Sequence, residues 1–318
     1  MKKYKLSIII PAYNTAQNLN RTLNVLECQS AKDFEIIIVN DNSQDDTEKI
    51  IFNFQKDFPN IKYFKNNTNN GPGYSRNIGI ENISGEFITF LDSDDWPDLT
   101  TYETAINTLD ENINCDFVIW GIKNEYNNKF SSYIRTDYKT YNTLNKELAI
   151  SMLCNTYSLD ISISSYLGNK MFKSNFIKKN NILFDEIFFE DVVFSFKTIL
   201  YSDKIILLPN IYTHYYQRTD SITHSFSQKH IYDMFEAFNI IKNIINNDNC
   251  VKYKNDFASL IEKCSKTLFK LIYNNIDNSI EQKEFLNIYF KKLLDFCGIN
   301  NILNYIDSER LKRILIEF

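Results

Sequence analysis

The sequence is poor in the residues that loosen or interrupt a chain: of 318 residues, only seven are glycine and five are proline. This scarcity leaves little room for flexible linkers. No segment approaches the roughly 20 consecutive apolar residues that a membrane-spanning helix needs. Basic residues are not in excess either, since the formal net charge is −5. That charge argues against a nucleic-acid-binding protein, whose surface must neutralise phosphates.

The start of the chain also lacks the features of a signal peptide. Its apolar run from Leu6 to Ile10 is too short for that role, and Pro11 ends the run. The six cysteines are scattered, without the short paired spacings of a zinc site or a disulfide framework. We therefore expect a reduced protein that is made and kept in the cytoplasm.

Short apolar segments alternate with helical patterns over the first 120 residues. Between the apolar segments, leucines recur at helical spacing, as at Leu19, Leu23 and Leu26. This alternation predicts an α/β fold with a mostly parallel central sheet and helices on both faces. Ligands of such sheets bind beyond the carboxyl ends of the strands. The predicted strands are Leu6–Ile10, Glu35–Val39, Ile61–Phe64, Glu86–Leu91 and Asp116–Trp120.

The pattern changes near residue 225. Residues 121–160 give no clear periodicity, whereas from residue 226 onward apolar residues keep helical spacing. We therefore predict an α/β domain over residues 1–225 and an all-helical C-terminal domain over residues 226–318. The elements predicted between residues 160 and 225 are helices at Lys170–Lys179 and Asp191–Leu200 and strands at Lys204–Leu208 and Ile211–Gln217.

The most informative segment is an acidic cluster at the end of the fourth predicted strand, with Asp92, Asp94 and Asp95. Because side chains alternate along a strand, Asp92 and Asp94 project to one side. Like charges this close are unfavourable unless a cation compensates them. Mn²⁺ or Mg²⁺, which prefer hard oxygen ligands, would suit the cluster. The alternative is an acidic turn that simply begins the next helix.

Two further polar clusters follow predicted strands. After the second strand, Asp41 could accept hydrogen bonds from a base or a ribose, although the cluster could equally cap the next helix. After the third strand, Asn70 and Gly71 precede a helix start that offers backbone amides to an anion. Arg76 adds a fork of donors suited to phosphate. The alternative for this segment is a turn followed by a surface helix.

Taken in order, these segments resemble the family 2 glycosyltransferases of the GT-A fold, over roughly residues 5 to 220. Residues 92–94 match the family's Asp-x-Asp motif, so the resemblance implies metal binding by Asp94 with Asp92. Asn40 replaces the first acid of the family's nucleotide-binding turn, so only Asp41 is carried over as the uracil contact. The donor-binding residues that the resemblance implies in the first half are Pro11, Tyr13, Asn14, Asp41, Asn70, Gly71, Arg76, Asp92 and Ser93.

The resemblance also implies roles in the second half. Glu190 and Asp191 match an acidic pair that precedes an apolar helix, so one of them is expected to be the catalytic base, with Asp191 slightly favoured. Direct displacement needs only one carboxylate that accepts the proton of the incoming hydroxyl. From the residues alone, helix capping explains this pair as well. Arg218 and Ser221 are expected near the donor diphosphate, and His214 either assists there, binds the metal, or is an ordinary strand residue.

The activity that the resemblance implies is inverting, metal-dependent transfer of a sugar from a nucleoside diphosphate, most simply UDP, to an acceptor hydroxyl. A bacterial surface glycan or its lipid-linked precursor is the expected acceptor. The chain lacks the Gln-x-x-Arg-Trp segment of processive synthases and the glycine-rich loop of dinucleotide oxidoreductases. A non-catalytic nucleotide-sugar-binding subunit of a glycan assembly complex is the alternative. The C-terminal helices are a candidate surface for peripheral contact with the inner face of the plasma membrane or for a homodimer.

Overall fold

The computed structural model describes residues 4–126, 132–139, 142–156, 162–217, 226–247 and 250–297. The first of these ranges alternates strands and helices: β1 (Leu6–Ala12), α1 (Ala16–Glu27), β2 (Phe34–Asn40), α2 (Thr47–Asp57), β3 (Ile61–Lys65), α3 (Pro72–Glu81), β4 (Phe87–Phe90), β5 (Trp96–Pro97), α4 (Thr101–Glu111) and β6 (Phe117–Tyr126). The later elements are β7 (Ser132–Thr136), β8 (Asn142–Leu144), α5 (Lys146–Cys154), β9 (Lys170–Lys173), α6 (Ser174–Lys179), α7 (Glu190–Tyr201), β10 (Ile205–Gln217), α8 (Gln228–Asn247), α9 (Lys254–Asn275) and α10 (Ser279–Cys297).

The strands of the described residues form one sheet in the order β3-β2-β1-β4-β9-β6-β10-β5, with β7 beside β6 and β8 beside β10. Strands β3, β2, β1 and β4 are parallel to one another, and β6 is parallel to β10. Strand β9 lies antiparallel between β4 and β6 and joins these two groups. The predicted α/β class is confirmed, but the sheet is mixed because β9 and the short strands at its far edge run against their neighbours.

Two local expectations about the second half need correction. The helix predicted over Lys170–Lys179 begins only at Ser174, because residues 170–173 form β9. Met171 and Phe172 pair with β4 on one side and β6 on the other, and this tertiary pairing overrides the local pattern. The two strands predicted on either side of Pro209 are one strand, β10, whose register shifts where the proline lies.

The side chains of the central strand β1 are buried on both faces of the sheet. Ile8, Ile9 and Ile10 are fully buried, with Ile9 in one hydrophobic cluster and its two neighbours in the other. Helix α3 approaches β1 closely at Gly79, where an added Cβ would lie 2.4 Å from the side chain of Ile9. This close approach in the last turn of α3 needs glycine.

The C-terminal helices share a core with the sheet. Phe238 of α8 and Leu268 of α9 belong to the same hydrophobic cluster as Phe172 of β9 and Phe194 of α7. The division of the chain near residue 225 therefore stays a prediction, since packing is continuous across it. In the part of the chain that the structure describes, no helix combines the length and the apolar character needed to cross a membrane.

Candidate active site

The acidic cluster after β4 gives each of its three carboxylates a different environment. Asp95 is fully buried and accepts hydrogen bonds from the hydroxyl of Tyr166 and, at 2.8 Å, from the backbone N–H of Tyr216. Burial raises the pKa of Asp95 well above its ordinary value, and the charges of Asp94 and Asp92 add to this shift. Asp92 and Asp94 are partly exposed. The cluster therefore buries one carboxyl group and presents two to the surface.

Helix α1 holds the backbone of this cluster in place. The hydroxyl of Thr22 donates to the carbonyl oxygens of Ser93 at 3.0 Å and of Asp95 at 2.9 Å. The guanidinium of Arg21 donates to the carbonyl oxygen of Asp94 at 2.7 Å. Sequence patterns missed both α1 residues, because a polar residue on an amphipathic helix gives no sign of which loop it will meet.

The same guanidinium also packs on aromatic rings. Arg21 lies 4.0 Å from the ring centroid of Trp96 and 4.1 Å from that of Tyr216. Cation–π contacts of this kind stabilise an otherwise mobile arginine side chain. The acidic cluster is thus connected through Arg21 to β5 and to the end of β10.

Arg76 joins the two acidic parts of the chain. Its Nη2 lies 2.8 Å from Oδ1 of Asp92, and its Nη1 lies 2.7 Å from Oε1 of Glu190. The arginine side chain is only 7% exposed. Because one guanidinium touches both carboxylates, the end of β4 and the start of α7 lie close together. Arg76 was expected to bind phosphate; in this structure its guanidinium is paired with two carboxylates.

Glu190 and Asp191 differ in accessibility although they are adjacent. Burial raises the pKa of Glu190 to about 7; the charge of Arg76 opposes this shift and that of Asp191 adds to it. Asp191 is partly exposed. It accepts a hydrogen bond from the hydroxyl of Ser165 at 2.7 Å and one from the backbone N–H of Val192 at 2.9 Å. Asp191 is thus the more accessible carboxylate of the pair, with a fixed orientation.

Asp41 is buried at the end of β2 and organises the turn before α3. Its Oδ1 accepts hydrogen bonds from the Asn70 backbone at 3.0 Å and from the side chain of Asn66 at 2.6 Å. Its Oδ2 accepts from the backbone N–H of Gly71 at 2.7 Å. Gly71 has a φ of 87°, which a residue with a side chain rarely adopts. The structure therefore brings Asp41, Asn70 and Gly71 together in one hydrogen-bonded turn.

The end of β1 lies beside the same turn. Pro11 is paired with β2, and Tyr13 beyond it is 43% exposed. The backbone N–H of Asn14 donates to the hydroxyl of Ser43 at 3.0 Å, and its side chain accepts from the backbone of Gln44 at 2.8 Å. An exposed aromatic ring next to the loop that follows β2 offers a flat surface for a nucleotide base.

Both ring nitrogens of His214 already contact carboxylates outside the acidic cluster. Its Nε2 lies 2.9 Å from Asp98 and its Nδ1 lies 2.6 Å from Glu125, and the ring stacks on Trp96. Burial alone would lower the pKa of His214, but the hydrogen bonds and charges of both carboxylates raise it above its ordinary value. In this arrangement neither ring nitrogen is free for a metal ion. Arg218 lies outside the described residues, as does Ser221.

The residues at the end of β4 fit a hard divalent cation. Within the described ranges no group of three or more His, Cys, Asp or Glu side chains is arranged to hold a metal ion. Mg²⁺ and similar cations usually take only one or two carboxylates and complete their coordination with water and substrate phosphates. Asp94 with Asp92 matches that donor set. The charges of these two residues also raise the pKa of Asp95.

Comparison with known proteins identifies the family. Residues 7–163 match the model of Glycosyl transferase family 2. The chain belongs to this family. A GalNAc(5)-diNAcBac-PP-undecaprenol beta-1,3-glucosyltransferase of Campylobacter jejuni is 47% identical over 92 residues, which cover 29% of this chain and 30% of that protein. A cholesterol galactosyltransferase of Borreliella burgdorferi is 28% identical over 236 residues, which cover 72% of this chain and 64% of that protein. The chain thus spans less than two thirds of the length of either relative.

Solved structures show that this family 2 member has the GT-A fold. Staphylococcus aureus TarS superposes with a TM-score of 0.68 at 22% identity, covering 96% of this chain and 50% of TarS. TarS 1-349 in complex with UDP-GlcNAc gives a TM-score of 0.59 at 20% identity, with 98% and 79% coverage. A mannosyltransferase of Pyrobaculum calidifontis in complex with GDP-Man and Mn²⁺ gives 0.56 at 13% identity, with 96% and 85% coverage.

Proposed function

We propose that this chain is an inverting glycosyltransferase that moves a sugar from a UDP-sugar to an acceptor hydroxyl. The observation that carries the proposal is the position of Arg76, which contacts Asp92 at one end of the cleft and Glu190 at the other. A donor diphosphate at the acidic cluster and a nucleophile at the start of α7 would then meet in one cleft. Family membership and the UDP-GlcNAc complex of TarS support UDP as the nucleotide.

The donor nucleotide would lie along the carboxyl ends of β1 and β2. Tyr13 would stack on the base, with Pro11 and Asn14 beside it. Asp41 would contact the uracil with an oxygen lone pair left over from its bonds to the turn before α3, since a carboxylate oxygen can accept more than one hydrogen bond. The Asn70–Gly71 turn would then border the nucleotide. Ligand binding at the carboxyl edge of such a sheet is the general rule for open α/β folds.

The diphosphate would lie at the end of β4, next to Ser93. A divalent cation, Mn²⁺ or Mg²⁺, held by Asp94 with Asp92 in support would neutralise the charge that develops on the departing diphosphate. The Mn²⁺ in the complex of the Pyrobaculum calidifontis mannosyltransferase supports this assignment. Through its ion pair, Arg76 would fix the orientation of the Asp92 carboxylate toward the cleft.

Asp191 would remove the proton of the acceptor hydroxyl. It is partly exposed, and the Ser165 hydroxyl fixes one of its oxygens, whereas Glu190 is buried and committed to Arg76. A single in-line displacement assisted by one base inverts the anomeric configuration, so an α-linked donor would give a β-linked product. The acceptor would be a bacterial surface glycan or a lipid-linked precursor. The names of the Campylobacter jejuni undecaprenol-linked glucosyltransferase and of TarS, a poly(ribitol-phosphate) beta-N-acetylglucosaminyltransferase, support this class of acceptor.

The test measures release of UDP from a panel of UDP-sugars by the purified chain with Mn²⁺. Release of GDP from GDP-sugars under the same conditions is the comparison. The matched control variant is Asp110→Asn, because Asp110 is an exposed carboxylate paired with Lys5, next to the start of β1 at the opposite edge of the sheet. We expect turnover with at least one UDP-sugar and unchanged turnover in the control. Tight UDP binding without any release would instead favour the non-catalytic nucleotide-sugar-binding subunit.

A further inference from the structure

The loop that precedes the acidic pair is held by the first helix of the C-terminal segment. The backbone N–H of Phe188 donates to Oδ2 of Asp233 on α8 at 2.8 Å. The ring of Phe188 stacks on the imidazole of His230, with ring centroids 3.9 Å apart and planes within 9°. Lys229 forms an ion pair with Asp233 and lies 5.0 Å from the Phe188 ring centroid. Three residues of α8 thus hold one residue that lies two positions before Glu190.

The backbone between this contact and the acidic pair is in an unfavourable conformation. Phe189 has a φ of 67°, in the left-handed region that bulky residues avoid. No side chain caps the start of α7; instead the carbonyl oxygen of Phe189 accepts hydrogen bonds from the backbone of Val192 at 3.1 Å and of Val193 at 3.4 Å. Such a conformation is unfavourable for a bulky residue and persists only where surrounding contacts fix it.

Helix α3 fixes the other end of the same loop. The side chain of Asn77 accepts a hydrogen bond from the backbone N–H of Phe184 and donates one to its carbonyl oxygen, both at 2.9 Å. Asp185 also pairs with Lys197 of α7 at 2.8 Å. At its other end the loop runs into the acidic pair, whose side chains Arg76 and Ser165 hold, and the contact with α8 holds the backbone just before that pair.

We propose that Asp233 is a positioning residue for the acidic pair. Acting through Phe188 and the left-handed Phe189, it sets the direction in which α7 begins and so where Glu190 and Asp191 point. The C-terminal helices are then part of the catalytic apparatus. This inference rests on the proposed function, because it assigns Asp233 to the placement of the base.

The experiment compares Asp233→Leu, Asp233→Asn and Asp256→Leu in the full chain. Leucine keeps the approximate size of aspartate but removes the acceptor, whereas asparagine keeps an acceptor oxygen for the N–H of Phe188. Asp256 of α9 is the matched control, since it accepts hydrogen bonds from the hydroxyls of Ser151 and Thr156, away from the acidic pair. For UDP release we expect Asp233→Leu to lower kcat by about 10- to 100-fold while the donor KM changes by less than about twofold. Asp233→Asn should recover most of the lost rate, and Asp256→Leu should keep the wild-type kcat.

A second measurement on the same proteins does not depend on turnover. Amide hydrogen exchange of residues 186–193, without ligand, should be about 10-fold faster in Asp233→Leu than in wild type and unchanged in Asp256→Leu. If the wild-type chain releases no UDP from any UDP-sugar, the proposed function fails, and exchange still decides whether Asp233 positions the start of α7. Unchanged exchange overturns the proposal. Faster exchange with a wild-type kcat also overturns it, because the contact would then be structural only. A loss of kcat in Asp256→Leu equal to that in Asp233→Leu overturns it too, because the effect would then not be specific to Asp233.

Discussion

The two acidic ends of the cleft are built alike but are neutralised differently. Each end has a buried carboxyl group with a raised pKa beside a partly exposed one: Asp95 beside Asp94, and Glu190 beside Asp191. Asp95 is held by neutral partners, whereas Glu190 lies against the cation of Arg76, which it shares with Asp92. The comparison suggests that the buried member orders each end while the exposed member does the chemistry.

The largest effect should come from the exposed member at the start of α7. Asp191→Asn keeps the hydrogen bond from Ser165 but cannot accept the acceptor's proton, so UDP release should fall by about 10²–10⁴-fold. Binding of UDP with Mn²⁺, measured by calorimetry, should stay at the wild-type affinity. Wild-type turnover in this variant, measured beside Asp110→Asn, would show that Asp191 is not the catalytic base.

The exposed member at the end of β4 should give the next largest effect, of a different kind. Asp94→Asn weakens the donor set for a divalent cation, so turnover should fall by about 10²–10³-fold. In calorimetry, Mn²⁺ should no longer improve UDP affinity in this variant, although it should do so in wild type and in Asp191→Asn. If Asp94→Asn and Asp191→Asn respond to Mn²⁺ in the same way, the two ends do not have separate roles.

Arg76 tests the connection between the ends. Above about pH 7, where Glu190 is ionised beside Arg76, Arg76→Met leaves Glu190 buried without its cation, and breaking a buried ion pair from one side costs about 3 kcal/mol or more. We expect urea unfolding to show this loss in the free energy of unfolding. The double variant Arg76→Met with Glu190→Gln should recover part of it, because the uncompensated charge is gone. A double variant no more stable than Arg76→Met alone would contradict the assigned partnership.

The smallest effect concerns the buried member at the start of α7. The pKa of Glu190 is raised from an ordinary value of 4.5 to about 7, so the folded protein holds this proton more tightly than the unfolded chain does. The corresponding stability is fully present below pH 4.5 and is lost as the pH rises through about 7. Glu190→Gln does not titrate, so its Tm relative to wild type should rise by roughly 2–4 °C from acidic to mildly alkaline pH. A pH-independent difference would show that folding does not raise the pKa of Glu190.

Local sequence patterns predicted one side of the cleft better than the other. Asp92 and Asp94 follow a buried strand at alternate positions, and Gly71 with Arg76 marks the start of α3, so spacing alone locates this edge. The partnership of Arg76 with Glu190 spans 114 positions in the chain and arises only because the sheet order brings α7 beside α3. No local periodicity carries that information.

The supporting residues were hidden for the same reason. Arg21 and Thr22 of α1 and Asp233 of α8 are polar positions on amphipathic helices, a pattern that usually marks a solvated face. Their contacts depend on which loop packs against the helix. The sequence of β9 predicts a helix because two apolar residues between lysines fit the period of a helix as well as that of a strand.

The most direct measurement is a crystal structure of Asp191→Asn with Mn²⁺ and the UDP-sugar that the wild type turns over. The donor should be trapped intact, with the metal on Asp94, the diphosphate at the end of β4, and the anomeric carbon facing residue 191. A donor bound away from the end of β4, or a sugar directed away from the start of α7, would contradict the shared cleft.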